Sequence, residues 1–307
     1  MQIFLSGLVI AASLAVVVAA ILSRRFVNGL TLLSAWRWAV AGAVSVVIAM
    51  IVTSRIVTVS PAWCSAAQYF AATMLLAPMV AALGARRPGN VAWQWFVVLP
   101  MVVVLQWPAM TQLVNNRGRE AIDLGAPATM GVLLVITMSA GTLLGTSMTL
   151  PALMYVAAVL SCLLPSSGWL ESASAIPLLS PLLLLAAQIH AASILRARYA
   201  TARNARSAAE STDAAWQLFQ NLYGIVWSRR VLDRINQFAP GEQWTVTLTL
   251  LGFRRSDGAA GTDAELAKPL EAFRWVLSRF ADPMWIEKHV SNTAEEVSDS
   301  EHLKSQI

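Results

Sequence analysis

The sequence predicts an all-α polytopic membrane bundle of about seven transmembrane helices, followed by a small, mainly helical α+β cytoplasmic domain with one clear strand. Three observations carry that expectation. The 307 residues are 57% hydrophobic and only 13% charged, far below the charge of a soluble chain. Apolar runs of about 20 residues recur, each long enough to cross the roughly 30 Å hydrocarbon core of a bilayer. Across residues 181–206 the composition then changes from almost continuously apolar to that of a soluble domain. The expected division is a transmembrane domain over 1–195, a cytoplasmic domain over 196–290, and a polar, acidic, disordered tail over 291–307.

Seven spans fit residues 3–22, 35–54, 62–84, 92–114, 125–145, 149–165 and 173–195. The critical stretch is 130–164, which contains no charge. As one helix it would be about 53 Å long, too much for a single ordinary span. Gly145-Thr146-Ser147 offers a turn and Pro151 suits the first turn of a following helix, so two spans are expected. One long tilted helix or a re-entrant segment is the alternative.

Charge placement supports the odd number. Residues 1–195 carry a net +5 and residues 196–206 add Arg196, Arg198, Arg203 and Arg206, whereas residues 207–307 carry −4. The positive excess lies beside membrane spans, where it orients them, and does not form the basic face of a nucleic-acid binder. No basic segment precedes the first span and Arg24-Arg25 follow it, the reverse of a signal peptide. A retained first helix with its N-terminus outside puts Arg24, Arg25, Arg37, Arg86 and Arg87 inside, and seven spans add the 196–206 cluster to them. The bacterial inner membrane is the expected location. Trp36, Trp38, Trp93 and Trp95 fall at the inner boundary and Trp63, Trp107 and Trp169 near the outer one, as expected of interfacial belts.

The candidates for chemistry within the spans are few. His190 is the sole histidine of the apolar half and an intramembrane ionisable group. Haem or metal ligation by it lacks a second membrane ligand, because His289 and His302 lie in the soluble half; no cofactor is expected. Arg37, within Trp36-Arg37-Trp38, is placed to snorkel or to meet an anion. Arg86 and Arg87 occupy the compact basic turn Gly84-Ala85-Arg86-Arg87-Pro88-Gly89-Asn90, suited to anionic lipid or to a docked partner. Cys64 and Cys162 fall near the same membrane face, where a disulfide is geometrically open if that compartment is oxidising. Pro78, Pro100, Pro108, Pro177 and Pro181 predict kinks. The Trp36–Trp38 and Gly84–Asn90 blocks together resemble uncharacterised multi-pass membrane proteins of planctomycete-type bacteria, a resemblance that implies no activity.

In the soluble half, a helix is expected from about Ser211 or Asp213 to Pro240-Gly241, with helical continuity from the last span plausible through Ala208. Trp244, Val246, Leu248 and Leu250 alternate with Thr245, Thr247 and Thr249, as in a half-buried strand. A helix beginning near Pro269 and another capped at Asp282-Pro283 follow. The strand has no obvious partner, so pairing of Thr245 to Leu251 across a homodimer or with a partner subunit is expected. No Walker A loop, His-Glu-x-x-His motif, Gly-x-Ser-x-Gly elbow or dinucleotide fingerprint occurs. These features favour a non-catalytic membrane subunit or scaffold; a transporter component is the alternative, and an intramembrane enzyme the third. A reporter fused after Ile307 should read out on the cytoplasmic side, and an extracytoplasmic signal would overturn the seven-span topology.

Overall fold

The computed structural model describes residues 2–54, 59–115, 120–166 and 176–290, and the chain divides into two compact units, Met1–Ala192 and Ser193–Ile307. Among the described residues, seven helices are long and apolar enough to cross a membrane. They are α1 (Gln2–Leu22), α2 (Leu33–Thr53), α3 (Pro61–Leu83), α4 (Asn90–Asn115), α5 (Gly125–Ala140), α6 (Thr149–Leu163) and α7 (Ser180–Arg203). The uncharged stretch 130–164 is thus two helices, separated by a 3-10 turn (Gly141–Leu143) and a loop. The last span begins later than 173 and ends later than 195; residues 167–175, with Trp169, lie outside the described set.

Helix α3 is the hub of the first unit, packing against α2, α4, α5 and α6. It is rich in alanine, and Ala62, Ala71, Ala72, Ala77 and Ala81 are all buried. Small side chains bring helix backbones close, the packing mode available where lipid gives no hydrophobic drive for association. Closest approach is at Gly42 of α2, where an added Cβ would sit 3.1 Å from the Met74 carbonyl oxygen. Gly141, in contrast, has open space around it, so the Gly141-xxx-Gly145 pattern marks a turn and not a helix contact.

Pro78 and Pro108 lie inside α3 and α4. Each lacks an N–H and disturbs the carbonyls one turn before it, groups that hydrocarbon cannot satisfy. The Tyr155 hydroxyl donates to the Leu75 carbonyl at 2.7 Å and the Tyr69 hydroxyl to the Leu105 carbonyl at 2.6 Å. Each acceptor directly follows the carbonyl that loses its intrahelical donor, Met74 for Pro78 and Val104 for Pro108. Next to Leu105, the Gln106 amide donates to the Thr73 hydroxyl, tying α4 to α3 again.

Within the second unit, α7 ends at Arg203 and a break separates it from the next helix. Helix α8 (Ala208–Asn236) starts earlier than expected because Ser207 caps it, its hydroxyl accepting the Glu210 N–H at 3.1 Å. Continuity from α7 through Ala208 does not occur. Gly224 interrupts α8 with φ 76°, ψ 178°, an extended left-handed conformation suited to glycine alone. The aromatic stripe of α8 is core: Phe219 stacks on Trp216 and Tyr223 at 5.8 and 4.6 Å, and the stripe meets Phe273 and Phe280 edge-to-face at 5.1–6.2 Å.

The alternating segment forms β1 (Val246–Thr249), and it has a partner within the chain. It pairs antiparallel with β2 (Gly252–Arg255) in the register Val246↔Arg255 to Thr249↔Gly252, so the expectation of one clear strand is corrected to a hairpin. Two consecutive arginines concealed β2, because Arg254 folds back to the Asp213 carboxylate at 2.7 Å instead of alternating outward. The outer edge of β1 is also occupied. The Asn236 side chain accepts the Leu248 N–H and donates to the Leu248 carbonyl, each at 2.8 Å, as a neighbouring strand would. On β2, the Phe253 N–H donates to Asp213 at 3.1 Å and its carbonyl accepts the Gly261 N–H at 3.2 Å. Gly252 makes this approach possible: at φ +120° it lies so near Asp213 that any Cβ would collide with the carboxylate. Burial pushes the Asp213 carboxyl up, against the opposing pull of Arg254.

Helix α9 (Asp263–Leu277) begins six residues before Pro269, at a Thr262–Glu265 capping box. Helix α10 (Pro283–His289) starts at Asp282-Pro283 as expected. His289 is buried, stacked on Trp285 at 4.5 Å, with its Nδ1 2.8 Å from the Trp285 carbonyl.

Two outcomes follow for the second unit. Asn236→Ala leaves the Leu248 N–H and C=O without that partner and should lower stability by about 1–3 kcal/mol, read as earlier loss of amide protection along β1. Burial holds His289 below its ordinary value of 6.5. Its contribution is therefore complete above that pH and declines as the pH falls, because the unfolded chain takes up a proton that the fold refuses. Unfolding of the tryptophan-rich core should grow easier from pH 7.5 to 5.5, with a shallower slope in His289→Phe.

Candidate functional site

The two motifs picked out separately in the first half of the chain meet at one end of the first unit. The turn after α1 and the start of α2 interlock with the turn after α3 and the start of α4. Thr31 Oγ1 donates to the Ala85 carbonyl at 2.7 Å, Ser34 Oγ to Asn90 Oδ1 at 2.9 Å, and Asn90 Nδ2 to the Thr31 carbonyl at 3.1 Å. One turn further along, the Trp38 indole donates to Gln94 Oε1 at 2.9 Å. Thus Trp36-Arg37-Trp38 and the 84–90 turn form one surface.

Helix ends explain why tryptophan is used there. The last carbonyls of a helix have no intrahelical donor, and an indole N–H supplies one from an otherwise apolar ring. Trp36 donates to the Ala20 carbonyl at 2.8 Å near the end of α1, and Trp93 to the Val80 carbonyl at 2.9 Å near the end of α3. Trp93 lies directly on Gly84, where an added Cβ would stand 2.0 Å from a ring carbon. Residues Gln94–Val98 form a π-helical turn just before Pro100, whose ring would crowd an ordinary α-turn. This turn leaves Trp95 and Phe96 exposed.

Arg24, Arg25, Arg37 and Arg86 are exposed at this end and Arg87 is half-buried. The Arg24 guanidinium lies 5.6 Å from the Trp36 ring centre and that of Arg25 4.8 Å from Phe26. The opposite end is organised differently. There Ser65 accepts the Ile122 N–H at 2.9 Å, Gln112 binds the backbone of Asp123, and the Leu124 N–H reaches the Ser166 carbonyl.

The remaining candidates do not join this surface. His190 is half-buried on α7, and the nearby Gln188 Oε1 is buried without a hydrogen-bond partner. Cys64 and Cys162 are free thiols; Cys64 donates weakly to the Val52 carbonyl at 3.6 Å and Cys162 is buried. Among the described residues no three His, Cys, Asp or Glu side chains gather as a metal site would require. Sequence reasoning did not single out Thr31, Ser34, Asn90 or Gln94. Their one signal was polarity next to tryptophan at the ends of apolar runs.

The second unit offers two surface features. An open cleft of about 520 Å³ is lined by Asn204, Glu210, Asp213 and Gln217. Glu210 already accepts the Arg206 N–H, Asp213 binds Phe253 and Arg254, and Gln217 accepts from Arg198, so the cleft offers few uncommitted polar groups. The hairpin turn is the other feature. Leu250 and Leu251 are 48% and 67% exposed at its tip. Gln220 and Arg254 hold their two carbonyls at 2.7 and 2.8 Å, and Thr249 Oγ1 accepts the Leu251 N–H. Comparison with protein-family models, curated proteins and solved structures finds no match for this chain.

Proposed function

We propose that the protein is a non-catalytic membrane subunit or scaffold whose C-terminal unit, on the cytoplasmic side of a bacterial inner membrane, docks another protein. The positive-inside tendency of Arg24, Arg25, Arg86, Arg87 and the 196–206 cluster supports that orientation. The observation that carries the docking role is the Leu250–Leu251 turn. Two adjacent leucines held outward by fixed backbone hydrogen bonds present apolar area at little further cost in ordering, the arrangement of a preformed contact. Within Thr245 to Leu251, the docking element is accordingly the turn and not the strand edge, whose groups at Leu248 are taken by Asn236. A transporter component is the second reading, favoured by the proline-containing pair α3 and α4 with Gln106 and Thr73 between them. Solute flux through proteoliposomes of the purified chain would favour that role.

The docking role is tested by the double variant Leu250→Ser, Leu251→Ser, expressed at native level and isolated from native membranes. It should melt like the wild type while losing a second polypeptide that accompanies the wild type in fixed ratio. Equal recovery of that polypeptide with the variant, or a wild type that is isolated alone, would sink the proposal.

A further inference from the structure

No Asp or Glu precedes Glu120 in the sequence. The interlocked end of the first unit therefore carries Arg24, Arg25, Arg37 and Arg86 on segments that contain no carboxylate. Like charges held on two hydrogen-bonded turns repel one another, and an anion from outside these segments relieves the repulsion. Arg24 lies over the Trp36 ring and Arg25 over the Phe26 ring, and the guanidinium fork is the side-chain group best matched to phosphate oxygens. Beside these cations lies an apolar shelf: Val91, Trp95 and Phe96 are 68%, 64% and 80% exposed. A ligand that satisfies both features carries a phosphate and a hydrocarbon tail.

We propose that this end of the first unit is a binding site for an anionic phospholipid, with the arginines on the headgroup phosphate and the Val91–Trp95–Phe96 shelf along an acyl chain. A free phosphate would use the arginines and leave the shelf bare; a zwitterionic lipid would bring its own cation against them. Asn90 and Gln94 fix the two arginine-bearing turns against each other in one register. This inference is independent of the docking role proposed for the hairpin.

Full-length protein reconstituted in phosphatidylcholine nanodiscs provides the test, with brominated phosphatidylglycerol or brominated phosphatidylcholine as quencher of tryptophan fluorescence. Wild type should be quenched at lower mole fraction by the anionic lipid. Each neutralised arginine should reduce that preference by roughly fivefold, the effect of about one surface charge. Arg37→Gln with Arg86→Gln should therefore remove most of it, while Arg37→Lys with Arg86→Lys keeps most of it. Should the paired Gln variant fail to fold, Arg86→Gln alone, in an exposed turn, carries the same comparison. An unchanged preference in a folded Gln variant would overturn the site. So would displacement of the anionic lipid by millimolar inorganic phosphate, which would make the ligand a free anion.

Discussion

A carbonyl released from its helix inside a bilayer must find a donor on another helix, because the solvent there has none to give. The first unit is arranged around that constraint. Pro78 and Pro108 each remove one intrahelical bond from the hub α3 and its neighbour α4, and beside each lost bond a carbonyl, that of Leu75 or Leu105, accepts a hydroxyl from a different helix, Tyr155 of α6 or Tyr69 of α3. The hub is thus both recipient and donor. Gly42 of α2 packs close to Met74, so the same turn of α3 is also in tight contact with α2.

The same accounting governs the helix ends. Trp36 and Trp93 close carbonyls of α1 and α3, and in doing so fix the positions of the turns that carry the arginines. Interfacial tryptophan therefore acts as more than a depth marker. It joins one helix to the next at the ends of the apolar helices.

How much of this was legible in the sequence depends on the range of the interaction. Span number and approximate limits follow from runs of apolar residues, a local property, and the break within 130–164 was visible at Gly145-Thr146-Ser147. Caps are also local: Ser207–Glu210 and Thr262–Glu265 are four-residue patterns, and giving weight to Pro269 instead placed the start of α9 too late. Pairings were not legible. Tyr69 and Leu105 are 36 residues apart, and Tyr155 and Leu75 80 apart, with nothing in either segment to name the other. The arginine surface was half legible, since both of its motifs stood out by composition while the register joining them rests on Thr31, Ser34, Asn90 and Gln94. Strand β2 was hidden because one of its arginines serves Asp213, which removes the alternation by which strands are recognised.

Asn236 has a meaning beyond its two hydrogen bonds. Proteins held in a membrane diffuse in a plane with their soluble parts at one height, so encounters between copies are frequent and their orientations restricted. A two-stranded hairpin in that setting is a template on which identical hairpins could add, edge upon edge, into a growing sheet. A side-chain amide cannot be extended: it offers one donor and one acceptor to Leu248 and no backbone beyond them. The hairpin edge thus stops against the end of α8, and crowding in the plane brings copies together without giving them a way to polymerise.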